Sequence, residues 1–141
     1  MKNQRSWRIG IFGTFDVENY GDLLFPIIAE LELSRRLGSV ELTPFSYHAK
    51  SSEDWPYGVE SLAELPRMAS DLDAILIGGG FIVRFDKFIA PGYGPPATWI
   101  HHPTGYWLAP ALVGAQHGVP VICVASRTII WSLEKQVRVG L

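Results

Sequence analysis

The sequence predicts an α/β domain built on a parallel sheet, and three observations lead there. Short apolar runs alternate with longer segments of helical period, the pattern of βαβ units. Two of those runs pass directly into glycine clusters, Gly13–Gly21 and Gly78–Gly80. The composition, 48% hydrophobic and 18% charged over 141 residues, is that of a globular chain with room for one domain.

The first run, Arg8–Phe12, reads as a buried strand followed by a glycine-punctuated loop. Asp22–Leu37 reads as a helix, with Leu23, Leu24, Ile27, Ile28, Leu31 and Leu37 forming a stripe for the core. Asp22 is its expected N-cap and Gly38 its stop; Pro26 is tolerable only near the first turn. Glu41–Ser46 is the second strand, placed at an edge because of Pro44. Residues 48–58 are polar and turn-rich, and Ser61–Ala69 is a short helix interrupted by Pro66. Leu72–Ile77 is the third strand and enters Gly78-Gly79-Gly80. The stretch 84–103, rich in proline, glycine and aromatics, is longer than an ordinary connection and so a functional candidate. Thr104–His117 is a helix with Trp107, Leu108, Leu112 and Val113 expected inside, and Val119–Val124 is the fourth strand. A Rossmann-like parallel sheet flanked by helices follows. In such sheets ligands bind at the carboxyl ends of the strands, where both glycine clusters lie.

The net charge of −2 gives no general attraction to nucleic acid. The apolar stretches fall short of the roughly 20 residues a membrane helix needs, so no integral membrane segment is expected. Peripheral association with a membrane is left open. A single cysteine, Cys123, excludes an internal disulfide, and a cytoplasmic setting is expected. Residues 1–125 read as one domain. Residues 126–141 read as a tail or a helix with Ile129, Ile130, Leu133 and Val137 on one side, or equally as a truncated end.

Two motifs carry candidate chemistry. In the first, Gly13 and Gly21 permit close backbone approach, while the N–H groups of the helix opening at Asp22 make an anion site. It matches neither the dinucleotide fingerprint nor a Walker loop, and Asp22 would repel a phosphate placed directly on it. The plainer reading is a strand–loop–helix turn in which Asp22 caps and Asn19 orders the loop. The second motif, Gly78-Gly79-Gly80, lets a ligand lie against the main chain or simply lets the chain turn.

Taken together, Asn19, Gly21 and Asp22 with Asp73, Ile77, Gly78, Gly79 and Gly80 resemble the polysaccharide pyruvyl transferase family. Gly118-Val119-Pro120-Val121 also looks like that family, and the resemblance spans about residues 8–125. It implies transfer of a pyruvyl group from phosphoenolpyruvate to a saccharide, giving a ketal in exopolysaccharide or cell-wall polysaccharide synthesis. It also implies two Rossmann-like halves facing across a cleft, as in GT-B glycosyltransferases, of which this chain would supply the N-terminal one. The expected partners are the small-molecule donor, a saccharide acceptor, and a second-half chain or another copy. No cofactor or metal is implied. Substrate-binding positions are then Gly13, Asn19, Gly21, Asp22, Gly78, Gly79, Gly80 and Arg84, with His101, His102 and Asp16 as candidate acid or base groups. Two alternatives stand beside this: a non-catalytic remnant, and a glycosyltransferase-like domain that binds a nucleotide sugar.

Other residues read more plainly. His101-His102 lacks the spacing of a metal pair, and Asp16 and Glu18 suit loop solvation as well as chemistry. Cys123, inside an apolar strand, is expected to be a small buried hydrophobe.

Overall fold

The computed structural model describes residues 5–78 and 103–124, with side chains from 108 onward in the second stretch. The described strands are β1 (Trp7–Phe12), β2 (Val40–Ser46), β3 (Glu60–Ser61), β4 (Ala74–Gly78) and β5 (Val121–Val124). The α-helices are α1 (Tyr20–Leu37), α2 (Leu65–Met68) and α3 (Pro103–His117), and short 3-10 turns flank α2. The strands lie in the order β3-β2-β1-β4-β5, every neighbour parallel. The chain winds outward from β1 to β3, then returns to lay β4 on the other side of β1. This is the doubly wound, Rossmann-like arrangement, and its switch point lies where the carboxyl ends of β1 and β4 meet.

Because strand side chains alternate, the sheet has two cores. Ile9, Ile11, Leu76 and Val124 pack with Ala29 and Leu33 of α1. Phe12, Phe45, Ile75 and Ile77 pack on the other face with Leu65 of α2 and Ala109 and Val113 of α3. Each fully buried aliphatic or aromatic side chain there contributes about 1.5–3 kcal/mol. Asp73 joins the far ends of β1 and β4: its N–H donates to the Arg8 carbonyl at 2.7 Å and its carboxylate accepts the Arg8 N–H at 2.9 Å. Arg5 pairs with the same carboxylate.

Several expectations are corrected. The N-cap of α1 is Asn19, not Asp22. Asn19 is extended (φ −136°, ψ 109°) and its side-chain oxygen accepts the Gly21 N–H at 3.1 Å. Gly38 does end the helix, at φ 88°. Ile27, Ile28 and Leu31 point outward, while Pro26, Ala29 and Leu33 form the buried face. Apolar residues surround much of this helix, so the periodicity alone did not say which side meets the sheet. Likewise Leu108 and Leu112 of α3 are exposed, whereas Ala109, Pro110 and Val113 are buried.

Strand β2 is not at the edge, because β3 lies outside it. Pro44 is nonetheless accommodated as an edge proline would be. The Phe45 carbonyl accepts from Gly13 N–H on the β1 side, so Pro44 directs its missing donor the other way. There β3 pairs only with Phe45 and Ser46, and no ladder bond is lost. The segment expected as a helix at 61–69 is helical but irregular, with α2 spanning only four residues. Cys123 is exposed rather than buried. No described helix is long and apolar enough to cross a membrane. Most of the irregular stretch after the glycines, and the segment 126–141, lie outside the described residues.

Candidate functional site

The two glycine motifs meet at the switch point. A Cβ built on Gly13 would stand 2.5 Å from the Gly78 carbonyl oxygen and 2.5 Å from the Phe15 ring. One built on Gly78 would stand 2.0 Å from the Phe25 ring of α1. Gly13 is therefore demanded by packing, since the main chain of β4 comes too close for any side chain, whereas Gly78 is confined by the Phe25 side chain of α1. Gly21 differs. Its backbone is not left-handed, and an added Cβ would meet only the Asn19 side-chain oxygen, at 3.6 Å. In the first turn of α1 the fold gains nothing from a glycine there.

The loop between β1 and α1 is held from below and from the side. Phe15 is fully buried under it. Ser46, fully buried at the end of β2, accepts the Phe15 N–H at 3.0 Å. Its hydroxyl lies 2.6 Å from both the Gly13 carbonyl and an Asp16 carboxylate oxygen, two acceptors for one proton. The other Asp16 oxygen accepts the His48 N–H at 3.0 Å. Asp16, a candidate acid or base on sequence grounds, is thus engaged at both oxygens in fastening the loop to β2. Thr14 donates to the Asp22 carboxylate at 2.7 Å, which places that side chain over the loop rather than at the cap position.

Residues 47–57 form the second wall, although the sequence reads there as a polar loop. Trp55 donates its indole N–H to the Phe15 carbonyl at 3.0 Å, and Lys50 lies 4.7 Å above the Trp55 ring. Mutual backbone bonds between Lys50 and Val59 close this loop at its base. Tyr57 stands edge-on to Phe15, with ring centroids 6.5 Å apart, and donates its hydroxyl to the Leu23 carbonyl at 2.9 Å. That bond adds a side-chain donor to the second turn of α1, one residue beyond the Asp22 carbonyl that Pro26, lacking an N–H, leaves without its helical donor. The density of aromatics at Trp55-Pro56-Tyr57, and a serine closing an apolar strand, were the available signals.

Burial, and then the Asp22 carboxylate, push the Tyr57 phenol well above its ordinary range. Tyr47 is also raised, by desolvation. For Tyr57 the consequence for stability has a definite sign. The phenol is neutral in both folded and unfolded chains below pH ~10, so its contribution is complete there. Above that the unfolded chain ionises first, and stability falls as pH rises. Thermal melts between pH 9 and pH 11 should show an alkaline loss that is shallower in Tyr57→Phe, which is expected to be slightly less stable at neutral pH. A loss of equal steepness in both proteins would refute the assignment.

Of the positions singled out from sequence, Gly13, Asp16, Asn19, Gly21, Asp22 and Gly78 come together at this edge. Gly79, Gly80, Arg84, His101 and His102 lie outside the described residues. Among the described residues no cluster of three or more His, Cys, Asp or Glu side chains could hold a metal ion.

No protein-family model matches the sequence, and no curated protein matches it. Among solved structures, an engineered D-amino acid dehydrogenase bound to NADP+ is similar at 21% identity and a TM-score of 0.36. The match covers 59% of this chain and 23% of that one, so the chain spans less than a quarter of its length.

Proposed function

We propose that this domain binds a small phosphorylated donor at the carboxyl ends of β1 and β4 and belongs to the pyruvyl transferase type, with phosphoenolpyruvate as donor and a saccharide as acceptor. The observation that carries the reading is Gly21. Glycine costs up to about 1 kcal/mol relative to alanine in a helix interior and less in a first turn, and neither backbone angle nor packing requires it here. A ligand lying against the first turn of α1 would require it, and Asn19 and Asp22, the other residues of that motif, flank the same spot. In such a transfer the methylene carbon of the enol phosphate is protonated, two saccharide hydroxyls add to the central carbon and give up their protons, and phosphate leaves with the electrons of its bond to that carbon. The residues within reach supply backbone N–H groups for an anion and the Asp22 carboxylate for a hydroxyl.

Phosphate release from phosphoenolpyruvate in the presence of a panel of saccharides tests this. Acceptor-dependent release is expected. Gly21→Ala is expected to hold or raise thermal stability, by up to about 1 kcal/mol, while reducing release at least tenfold. A Gly21→Ala protein that is equally active would remove the argument. Folded wild-type chain that releases no phosphate and binds no phosphoenolpyruvate favours the remnant. Binding of a nucleoside diphosphate in place of phosphoenolpyruvate favours the nucleotide-sugar reading.

A further inference from the structure

The loop between β2 and β3 carries two features for which the fold gives no reason. The first is a charge. Arg5, Arg8, Arg35, Arg36 and Arg67 each pair with a carboxylate. Lys50 meets no carboxylate among the described residues, although the exposed Glu53 and Asp54 share its loop. Its ammonium lies instead 4.7 Å above the Trp55 ring. The second feature is a glycine. Gly10, Gly13, Gly78 and Gly114 are crowded by their neighbours, and Gly38 and Gly118 are left-handed. Gly58 is neither: its backbone is not left-handed, and an added Cβ would meet nothing within 4 Å. In this it matches Gly21.

Both features stand at one point of the loop, and that point is fastened to the candidate site. Lys50 exchanges main-chain hydrogen bonds of 2.9 and 2.8 Å with Val59, the residue after Gly58. The ring beneath its ammonium is tied to the β1–α1 loop through the Phe15 carbonyl, and Tyr57 reaches the Leu23 carbonyl, two residues past Gly21. His48, two residues before Lys50, donates its N–H to Asp16. The charged side chains of the β1–α1 loop and the first turn of α1 are Asp16, Glu18 and Asp22, all acidic. A mouth of that sign disfavours a multiply charged donor unless a cation stands beside it. We propose that this wall supplies the cation: the Lys50 ammonium, held on the Trp55 face, takes an oxyanion of the donor, and the bare main chain at Gly58 lets the donor lie close. The assignment rests on the reading of the site as one for phosphoenolpyruvate and adds to it the residue that answers the donor's charge. A lysine resting on an aromatic ring has no ion pair to break before it meets an incoming anion, and the ring orients its stem.

Calorimetric titration of the full chain with phosphoenolpyruvate is the test. Lys50→Gln is expected to weaken binding roughly fivefold or more, and Lys50→Arg to keep it within about twofold. Arg67→Gln, which removes a cation paired with Glu64 on α2, should leave the affinity unchanged. Gly58→Ala should weaken binding by a factor similar to Lys50→Gln, with its melting temperature equal to wild type or slightly higher, because alanine restricts the unfolded chain. Added salt should erode the wild-type affinity more steeply than that of Lys50→Gln. Separate titrations with inorganic phosphate and with pyruvate identify the oxyanion that the lysine meets, as the one whose binding Lys50→Gln weakens. If wild type binds phosphoenolpyruvate and either Lys50→Gln or Gly58→Ala binds it equally well, this proposal is overturned while the reading of the site stands. A folded wild-type chain that binds none of the three probes overturns both.

Discussion

Replacing Gly13 with alanine is expected to lower stability by about 3 kcal/mol, a fall in Tm of roughly 10 °C. The reason is what the methyl group would strike. Its nearest neighbours are the Gly78 carbonyl, which is main chain in a central strand, and the tip of Phe15, which is fully buried. Neither can step aside without moving β4 or opening the core beneath the loop. Gly78→Ala makes an instructive contrast, because the atoms it meets belong to the half-buried Phe25 ring, the movable end of a side chain. Its cost should be smaller and should be relieved by Phe25→Leu, whereas no single side-chain change should relieve Gly13→Ala. Thermal or urea melts of the three variants check this. Gly13→Ala melting within a degree or two of wild type would show that the approach of β1 to β4 is loose.

Ser46→Ala is the second large effect, with an expected loss of about 1–3 kcal/mol. The hydroxyl is fully buried and serves the Phe15 N–H, the Gly13 carbonyl and Asp16 at once. Alanine takes the acceptor from the buried Phe15 N–H where water does not reach, and that lost partner accounts for most of the cost. Asp16→Ala removes only one partner of the hydroxyl and leaves a half-exposed position, so it should cost less. Amide hydrogen exchange separates the local effect from the global one. In Ser46→Ala the Phe15 amide should lose protection by more than the drop in overall stability accounts for. If its exchange follows global unfolding alone, the serine is not what holds the loop.

Much of this architecture is written in local pattern. Runs such as Ile9–Phe12 and Ile75–Ile77, buried on both faces, carry no charged residue because a parallel sheet covered on both sides demands it. Gly38 marks the end of α1 because its backbone is left-handed. What escaped the sequence depended on context. Strand β3 is two residues long, too short to show a period, and exists because β2 offers it a partner. Both Asn19 and Asp22 are good capping residues, and the geometry of the loop chose the earlier one. The inward faces of α1 and α3 differ from those the pattern suggests because apolar residues, Leu, Ile and Phe in α1 and Leu, Ala and Val in α3, occupy several sides of each helix. At the site, the glycines were legible as points of close approach, but not which were needed by packing and which were not. That distinction needs the distance from Gly13 to Gly78 and the open space beside Gly21. The roles of Ser46 and Tyr57 required partners about thirty residues away in sequence, and no periodicity announces such contacts.

The brevity of β3 bears on how this protein behaves when crowded with copies of itself. A sheet margin recruits foreign strands by offering a row of unsatisfied main-chain donors and acceptors. Here that margin is two rungs long, and the adjoining residue of β2 on the same side is Pro44, which has no donor to offer. An incoming strand would find two rungs at β3, a gap at Pro44, and then only the outward main-chain groups of Leu42 and Val40. The flank is sealed by being too short to copy, and lengthening β3 by design would be the quickest way to make the protein precipitate.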